Sequence, residues 1–379
     1  MTPLGKTPAE VWGRIRAGDC AAAAPAGFDA GAFACPVCAE VKNFDPQHFV
    51  PEAKLVRLMN RDAQLAVAAA HLALQDAGVN VGGSHQPEEV ALFGATGLAG
   101  LPLREVEPLL SASMGTNGRF ELKRFGTAGL KAVNPILSFK ILSNMPVCFV
   151  SICENLQGPN GIYTPWEGQG AQALEAGLRA VRSGDAPCAL VGGCDVKTHE
   201  LAFVSLDQQG LFRSWKETGQ GVIPGEGAAF LVLEREADAI TRDARIYARL
   251  VDCSFRTRRK GQARIDVMSE VYEKLGRNAT QGSDPVSNGN RISAVLASDN
   301  GDAGAESMDE RVLAKMSIQA GELFHPKRQL GDLFAAAAAT QVALGALAAR
   351  QCGGRVVANC FGHGSEQAAF VLEAPALGL

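Results

Sequence analysis

Glu167 is the residue whose type and setting most invite a chemical reading. It stands in Trp166-Glu167-Gly168-Gln169-Gly170, at the head of a helix expected from Gln169 to Arg182. A helix N-terminus carries about half a positive charge and free N–H groups, so it holds a carboxylate as an anion. That setting weakens a glutamate as a nucleophile. A second acid, Asp332, closes the stretch Lys327-Arg328-Gln329-Leu330-Gly331-Asp332 ahead of an alanine-rich helix. Asn300 sits in the polar stretch 297–301, ASDNG, after a strand-like run. Phe361 and His363 lie in the glycine-rich loop 359–365, NCFGHGS. His325 before Pro326 and His71 in an apolar helix have no such company and read as structural.

The ten cysteines argue for little chemistry. Cys148, Cys153, Cys188, Cys194 and Cys253 each lie singly in apolar segments, the habit of buried free thiols. Cys360 beside the last glycine loop reads the same way. Cys35 and Cys38 form one CxxC with no second pair and no histidine at ligand spacing, so no metal site is expected.

These residues need a scaffold to bring them together. A chain of 379 residues suits two domains or two similar halves, and 47% apolar residues suffice for a buried core. The formal charge of -4, without a basic tail or long charge run, excludes a bulk electrostatic grip on nucleic acid. No apolar stretch reaches bilayer length, and the first residues lack the order of a signal peptide, so no membrane span and a cytoplasmic place are expected.

Helices are expected near residues 4–17, with Thr7 as N-cap and Pro8 in the first turn, and from Arg61 to Gln75, stopped at Gly78. Strands are expected at Glu89–Gly94, Met145–Cys153, Cys188–Gly192 and Ala228–Glu234. The stretch Pro102–Pro135 reads as mobile or facing a partner. The pattern then restarts: strands at Arg245–Phe255, Ser293–Ala297, Arg355–Asn359 and Ala368–Leu372, and helices at Ile265–Leu275, Met308–Gln319 and Leu333–Ala349. Short buried strands alternating with helices predict a layered α/β fold, with halves 1–240 and 241–379.

Several ordered motifs carry a resemblance over nearly the whole chain. The segment Ser151–Leu174, SICENLQGPNGIYTPWEGQGAQAL, resembles the nucleophile segment of the β-ketoacyl synthases, members of the thiolase-like superfamily. Gly158-Pro159-Asn160 match its start, and Gly170 and Ala171 its helix opening. Arg182–Asp195, Gly221–Glu234 with its Gly225-Glu226-Gly227, Val41–Pro46 and the last glycine loop resemble further family segments. The resemblance implies two similar halves in an α-β-α-β-α arrangement. It also implies an acyl thioester held on a cysteine and two histidines beside it, without a cofactor or metal.

All three implied positions depart. Glu167 falls on the cysteine, Asn300 on the first histidine to within about one residue, and Asp332 on the second, while Lys327 is kept. His363 falls on a gatekeeper phenylalanine, and Trp166 has the bulk to fill the acyl cavity. The pattern is similar to the chain length factors of type II polyketide pathways and to subunits of aryl polyene pathways. These pair with an active ketosynthase and bound the acyl tunnel. The implied partners are that ketosynthase and, indirectly, an acyl carrier protein, with Pro102–Pro135 at the interface. Two other readings stay open: a homodimeric acyl-thioester enzyme using Glu167 and Asp332, and an acyl-carrier-binding scaffold. The resemblance also implies an early strand, of the V-V-V-T-G-x-G kind, in the middle of the first sheet. The sequence begins near the T-P-L-G turn without that strand, so either the start is misplaced or a partner or another segment is expected to fill its place.

Overall fold

The computed structural model describes residues 1–98, 100–277, 292–299 and 307–375. Two mixed sheets organise them. The first half gives β1 (Val90–Thr96), β2 (Asn160–Tyr163), β3 (Cys188–Val196) and β4 (Glu226–Glu234), in the spatial order β2-β1-β3-β4. The second gives β5 (Arg249–Thr257), β6 (Ile292–Leu296), β7 (Ala320–Phe324), β8 (Arg355–Phe361) and β9 (Glu366–Glu373), in the order β5-β9-β8-β6-β7. In each sheet the first three strands of the order β2-β1-β3 or β7-β6-β8 run parallel, and the next turns antiparallel. The halves are thus copies of one topology, a thiolase-like layered α/β fold.

Small residues decide how the layers close. Helices Glu167–Ser183 and Ala337–Cys352 lie between the two sheets and touch each other. Their apolar faces, among them Leu174, Ala338 and Val342, share one core with strand residues of both sheets. Gly170 permits the approach, because a Cβ there would stand 2.6 Å from the Ala335 carbonyl oxygen. Helices Arg61–Asp76 and Met145–Glu154 cover the outer face of the first sheet, and Arg264–Arg277 covers that of the second.

The helix ends follow their sequence signals. Thr7 Oγ1 accepts from the Glu10 N–H at 3.2 Å with Pro8 in the first turn, and Gly78 takes a left-handed φ of +65° after Asp76. One expectation fails. Met145–Cys153 is not a strand but the body of helix Met145–Glu154. Its apolar run packs Val147, Phe149 and Val150 onto the first sheet, and Pro146 sits comfortably in its first turn. The stretch Pro102–Pro135 includes helix Leu103–Ser113, with Pro108 inside it, and leaves Leu110, Phe120, Leu122 and Leu130 exposed.

The missing strand is also displaced from its expected place. In the second sheet the first strand of the half, β5, pairs antiparallel with β9 at an edge. The equivalent place in the first sheet is the outer edge of β4, not the middle. Met1 alone pairs there among the described residues: its N–H donates to Ala228 O, and Ala228 N–H donates to Met1 O, both at 2.9 Å.

Candidate functional site

Glu167 opens helix Glu167–Ser183, with Trp166 as its N-cap residue. The Gln169 side chain accepts from the Trp166 N–H at 3.2 Å and fixes the first turn. The Glu167 side chain points into the gap between the halves and is 2% exposed. There it accepts from Lys327 Nζ at 2.5 Å on one oxygen and from Ser298 Oγ at 2.9 Å on the other. Lys327 lies in the turn of helix Pro326–Leu330 and is 3% exposed. Its Nζ stands 3.5 Å from Asp332 Oδ2, which is also 3.0 Å from His363 Nε2. The Phe334 N–H donates to Asp332 Oδ1 at 2.8 Å.

This gathers Glu167, Lys327, Asp332 and His363 into one buried cluster, while Asn300 lies outside the described residues. The side chain from that stretch which reaches Glu167 is Ser298, two residues earlier. Ser298 is held by an acceptor on one side and a donor on the other: its own N–H donates to Asp309 Oδ1 at 3.0 Å, and Phe361 N–H donates to its Oγ at 3.0 Å. Asn359 donates to the same Asp309 oxygen at 2.7 Å and accepts from the Tyr272 hydroxyl at 2.9 Å. Ser298, Asp309 and Tyr272 were invisible as site residues in the sequence. A hydroxyl beside a strand end has no signature, and only the buried Asp309 could have signalled a polar network.

The two carboxylates do not behave alike. Burial pushes both upward. Around Asp332 the Lys327 charge, the His363 hydrogen bond and the Phe334 N–H more than offset this, and hold it well below the usual carboxylate range. Glu167 stays raised, because burial and the Asp332 charge outweigh Lys327 and Ser298. Burial opposes the charge on Lys327, but the two acids raise its pKa. Asp332 is the anion of the pair, and Glu167 takes a proton the more readily.

Aromatic rings close the space above. Trp166 lies 6.0 Å from Phe334 and 6.3 Å from His363 between ring centroids, and Phe334 lies 5.7 Å from His363. Phe334 holds a left-handed φ of +47°, uncommon for a bulky residue. Below, Gly362 lets the last loop pass over Glu167, since a Cβ there would meet Glu167 Cβ at 2.7 Å. Phe361, on the expected pocket list, is buried at 1% in the outer core of the second half, against Tyr272. The retained Gly225-Glu226-Gly227 frame is structural: Gly225 N–H donates to Asp332 O at 2.9 Å, and Glu226 holds Arg61 at 2.7 Å.

Among the described residues the cysteines around this cluster are buried or raised in pKa. Cys360 is fully buried with its thiol pushed well up by burial, and Cys153, on a helix, is raised to about 11 for the same reason. Burial likewise raises Cys35 to about 11 and Cys38 to about 12. A cluster of His85, Cys188 and Glu234 lies elsewhere, but both Glu234 oxygens are taken by Arg242, at 2.8 and 2.5 Å.

Glu167→Cys is accordingly expected to stay inert. The thiol would lie beneath Trp166 and Phe334 at a position that is 2% exposed, out of reach of a reagent in solvent. Incubation of the folded variant with iodoacetamide, read by mass spectrometry of the peptide that spans the substituted position, should show no labelling there. Stoichiometric labelling at neutral pH would show an open, activated site.

Two nested copies of one α/β unit, with a helix N-terminus aimed at their junction, define a condensing-enzyme scaffold of the thiolase-like kind. The family profile "Beta-ketoacyl synthase, N-terminal domain" matches residues 1–239, and the chain belongs to this family. Among curated proteins it is similar to 3-oxoacyl-[acyl-carrier-protein] synthase 2 of Coxiella burnetii, 24% identical over 364 residues, covering 92% of this chain and 84% of that one. The namesake enzyme of Synechocystis is 26% identical over 262 residues, covering 66% and 59%. Among solved structures, the ishigamide ketosynthase/chain length factor aligns with TM-score 0.78 at 20% identity, covering 99% of this chain and 97% of that one. The PfaC keto synthase-chain length factor aligns with TM-score 0.76 at 15% identity, covering 99% and 47%. These structural likenesses establish the fold. Among the described residues no helix is long and apolar enough to cross a membrane.

Proposed function

We propose that this chain is a non-catalytic subunit that pairs with an active β-ketoacyl synthase and shapes the acyl tunnel of the joint assembly. The observation that carries this reading is the sealed ion cluster at the cysteine position. Glu167, Lys327 and Asp332 are each no more than 3% exposed and saturate one another. A thioester carbonyl needs a nucleophile and an oxyanion donor at one point in space. Here the donor Lys327 is already engaged by two carboxylates. A homodimeric enzyme working through Glu167 and Asp332 meets the same obstacle, for its acid is out of reach of substrate.

A need for a partner is supported by apolar exposure. Leu98, Leu122, Phe139, Ile141, Ile152 and Ile162 are between 38% and 76% exposed, all within one third of the chain. Ile162 stands on β2, an open edge of the first sheet. Large apolar side chains left this exposed are a feature of protein-contact surfaces. The two solved relatives named with a chain length factor lend the reading its precedent, as does a type II polyketide ketosynthase solved with its acyl carrier protein. A scaffold without a tunnel would share the sealed cluster, and only the assembly test separates it.

Co-expression with an intact ketosynthase from the same genome tests the proposal. The expected result is a one-to-one complex on gel filtration whose condensation activity falls on the order of a hundredfold when this subunit is omitted. That loss corresponds to about 2.7 kcal/mol. Glu167→Gln should leave the activity of the complex unchanged. A homodimer that turns over acyl thioesters by itself, and loses that activity in Glu167→Gln, would overturn the reading.

A further inference from the structure

A second grouping of ligand-bearing side chains lies at the far end of the first sheet. Cys188 opens β3 and Glu234 closes β4. They stand directly opposite across that antiparallel pair, so their side chains leave one face of the sheet side by side. A third group comes from the turn before β1. There the His85 N–H donates to Asn80 O at 3.2 Å, and the Gly82 N–H donates to His85 O at 2.8 Å. Gly82 takes the left-handed φ of +83° that this turn needs. The turn sets the imidazole over the strand pair, and one ligand atom from each of His85, Cys188 and Glu234 lies within 4.8 Å of the other two. No sequence spacing announces the group, because its members come from three distant segments.

The geometry suits a metal better than a hydrogen bond. His85 Nε2 stands 3.7 Å from Glu234 Oε1, too far to be bonded to it. That separation is close to the ~3.4 Å that two ligands span across a tetrahedral zinc ion with bonds of about 2.1 Å. The other ring nitrogen, Nδ1, meets Ser84 Oγ at 3.1 Å. An N–H donated there leaves the Nε2 lone pair to a metal. Glu234 is oriented by Arg242, whose Nε and Nη2 meet its two oxygens at 2.8 and 2.5 Å, and whose Nη1 donates to Ala77 O at 2.7 Å. This fork uses one lone pair on each oxygen, and a carboxylate offers about four. Oε1 thus keeps a second for a metal.

We infer that His85, Cys188 and Glu234 form a zinc-binding site, with a water molecule completing the tetrahedron. Thiolate and imidazole select zinc over magnesium or calcium, which prefer oxygen ligands. On binding, the Cys188 S–H bond breaks, the proton passes to the buffer and the sulfur electron pair goes to the ion. Burial and the Glu234 charge hold that thiol up at about 12 without metal, and a bound cation reverses the balance. Thiolate and carboxylate together neutralise the ion, so Arg242 faces a centre of no net charge. The ion ties the last residue of β4, the terminal strand of the first sheet, to β3 and to the turn before β1. It sits at the opposite end of β3 from Asp195, whose Oδ2 accepts from the Ala335 N–H at 3.3 Å. The site is therefore separate from the Glu167 cluster and does not depend on the subunit reading.

The test uses the full chain, reduced and stripped of metal by a chelator, with Zn2+ and Co2+ as probes. Wild type should take up one equivalent of Zn2+ in competition with a chromophoric chelator, and millimolar Mg2+ should not displace it. Co2+ should give the visible spectrum of a tetrahedral centre with a thiolate-to-cobalt charge-transfer band. Cys188→Ser and His85→Gln should each weaken Zn2+ binding at least about tenfold, and Cys188→Ser should abolish the band. Cys35→Ser with Cys38→Ser should leave both readouts unchanged. A hundredfold excess of Zn2+ over its Kd should raise the unfolding temperature of wild type and not that of Cys188→Ser. Metal-free unfolding curves certify the fold of each variant. Should one variant fail to fold, the other and the wild-type cobalt spectrum decide. No uptake by wild type, a cobalt spectrum without the thiolate band, uptake undiminished in Cys188→Ser or His85→Gln, or uptake lost with Cys35 and Cys38 overturns the inference.

Discussion

Lys327→Met is expected to destabilise the protein by ~3–5 kcal/mol, the usual cost of removing one partner from a buried ion cluster. Two carboxylates lose their counter-charge at once, because Nζ serves Glu167 at 2.5 Å and Asp332 at 3.5 Å. Methionine replaces the stem but not the charge, while the hydrogen bonds from Ser298 and the Phe334 N–H and the contact with His363 stay in place. Urea unfolding should show the loss as a lower midpoint at unchanged slope. The triple change Lys327→Met, Glu167→Gln, Asp332→Asn removes the stranded charges and should recover a large part of it. If the triple variant is no more stable than the single one, the loss comes from packing and not from charge.

The same pair fixes a pH dependence. Asp332 has a folded pKa below its unfolded one, so its stabilisation is present above about pH 4 and fades as pH falls through the lower folded value. Without Lys327 the ordering reverses: burial raises both acids, and ionising them opposes folding as pH climbs above about 4. The stability difference between wild type and Lys327→Met should therefore be larger at about pH 8 than at about pH 5. An equal difference at both would mean that the lysine acts without its charge.

This cluster was half legible in the sequence, and the reason is instructive. Glu167, Lys327, Asp332 and His363 each stand inside a motif with flanking glycines or a helix start, so their neighbours in sequence mark them. Ser298 and Phe334 have no such markers. Ser298 matters only because the end of β6 delivers it 2.9 Å from Glu167, a relation across 131 residues. The fold was legible where apolar strands were bounded by glycine, as at β1, β3 and β4. It failed at Met145–Cys153, a nine-residue run apolar on every side. Such a run has neither the alternation of a strand nor the stripe of a helix, and only its packing between Arg61–Asp76 and β1 settles it. Strand order, such as the edge place of β5 beside β9, is not written in any local pattern.

Phe334 is the remaining test of what the sealed site is for. Its ring is 1% exposed and packs on Trp166 and His363, so Phe334→Ala should cost ~3–5 kcal/mol through the cavity it leaves. Glycine normally fares worse than alanine, by roughly 0.5–1 kcal/mol of backbone freedom. At φ +47° that order should vanish or invert, because only glycine takes the left-handed region without a Cβ penalty. Thermal unfolding of Phe334→Gly and Phe334→Ala therefore separates the ring's packing from the backbone's conformation. Phe334→Gly clearly below Phe334→Ala would place the residue in an ordinary backbone region. Should the two match, the chain is holding an aromatic residue in a conformation that suits glycine, packed on Trp166 and His363 beside the Glu167–Lys327–Asp332 cluster.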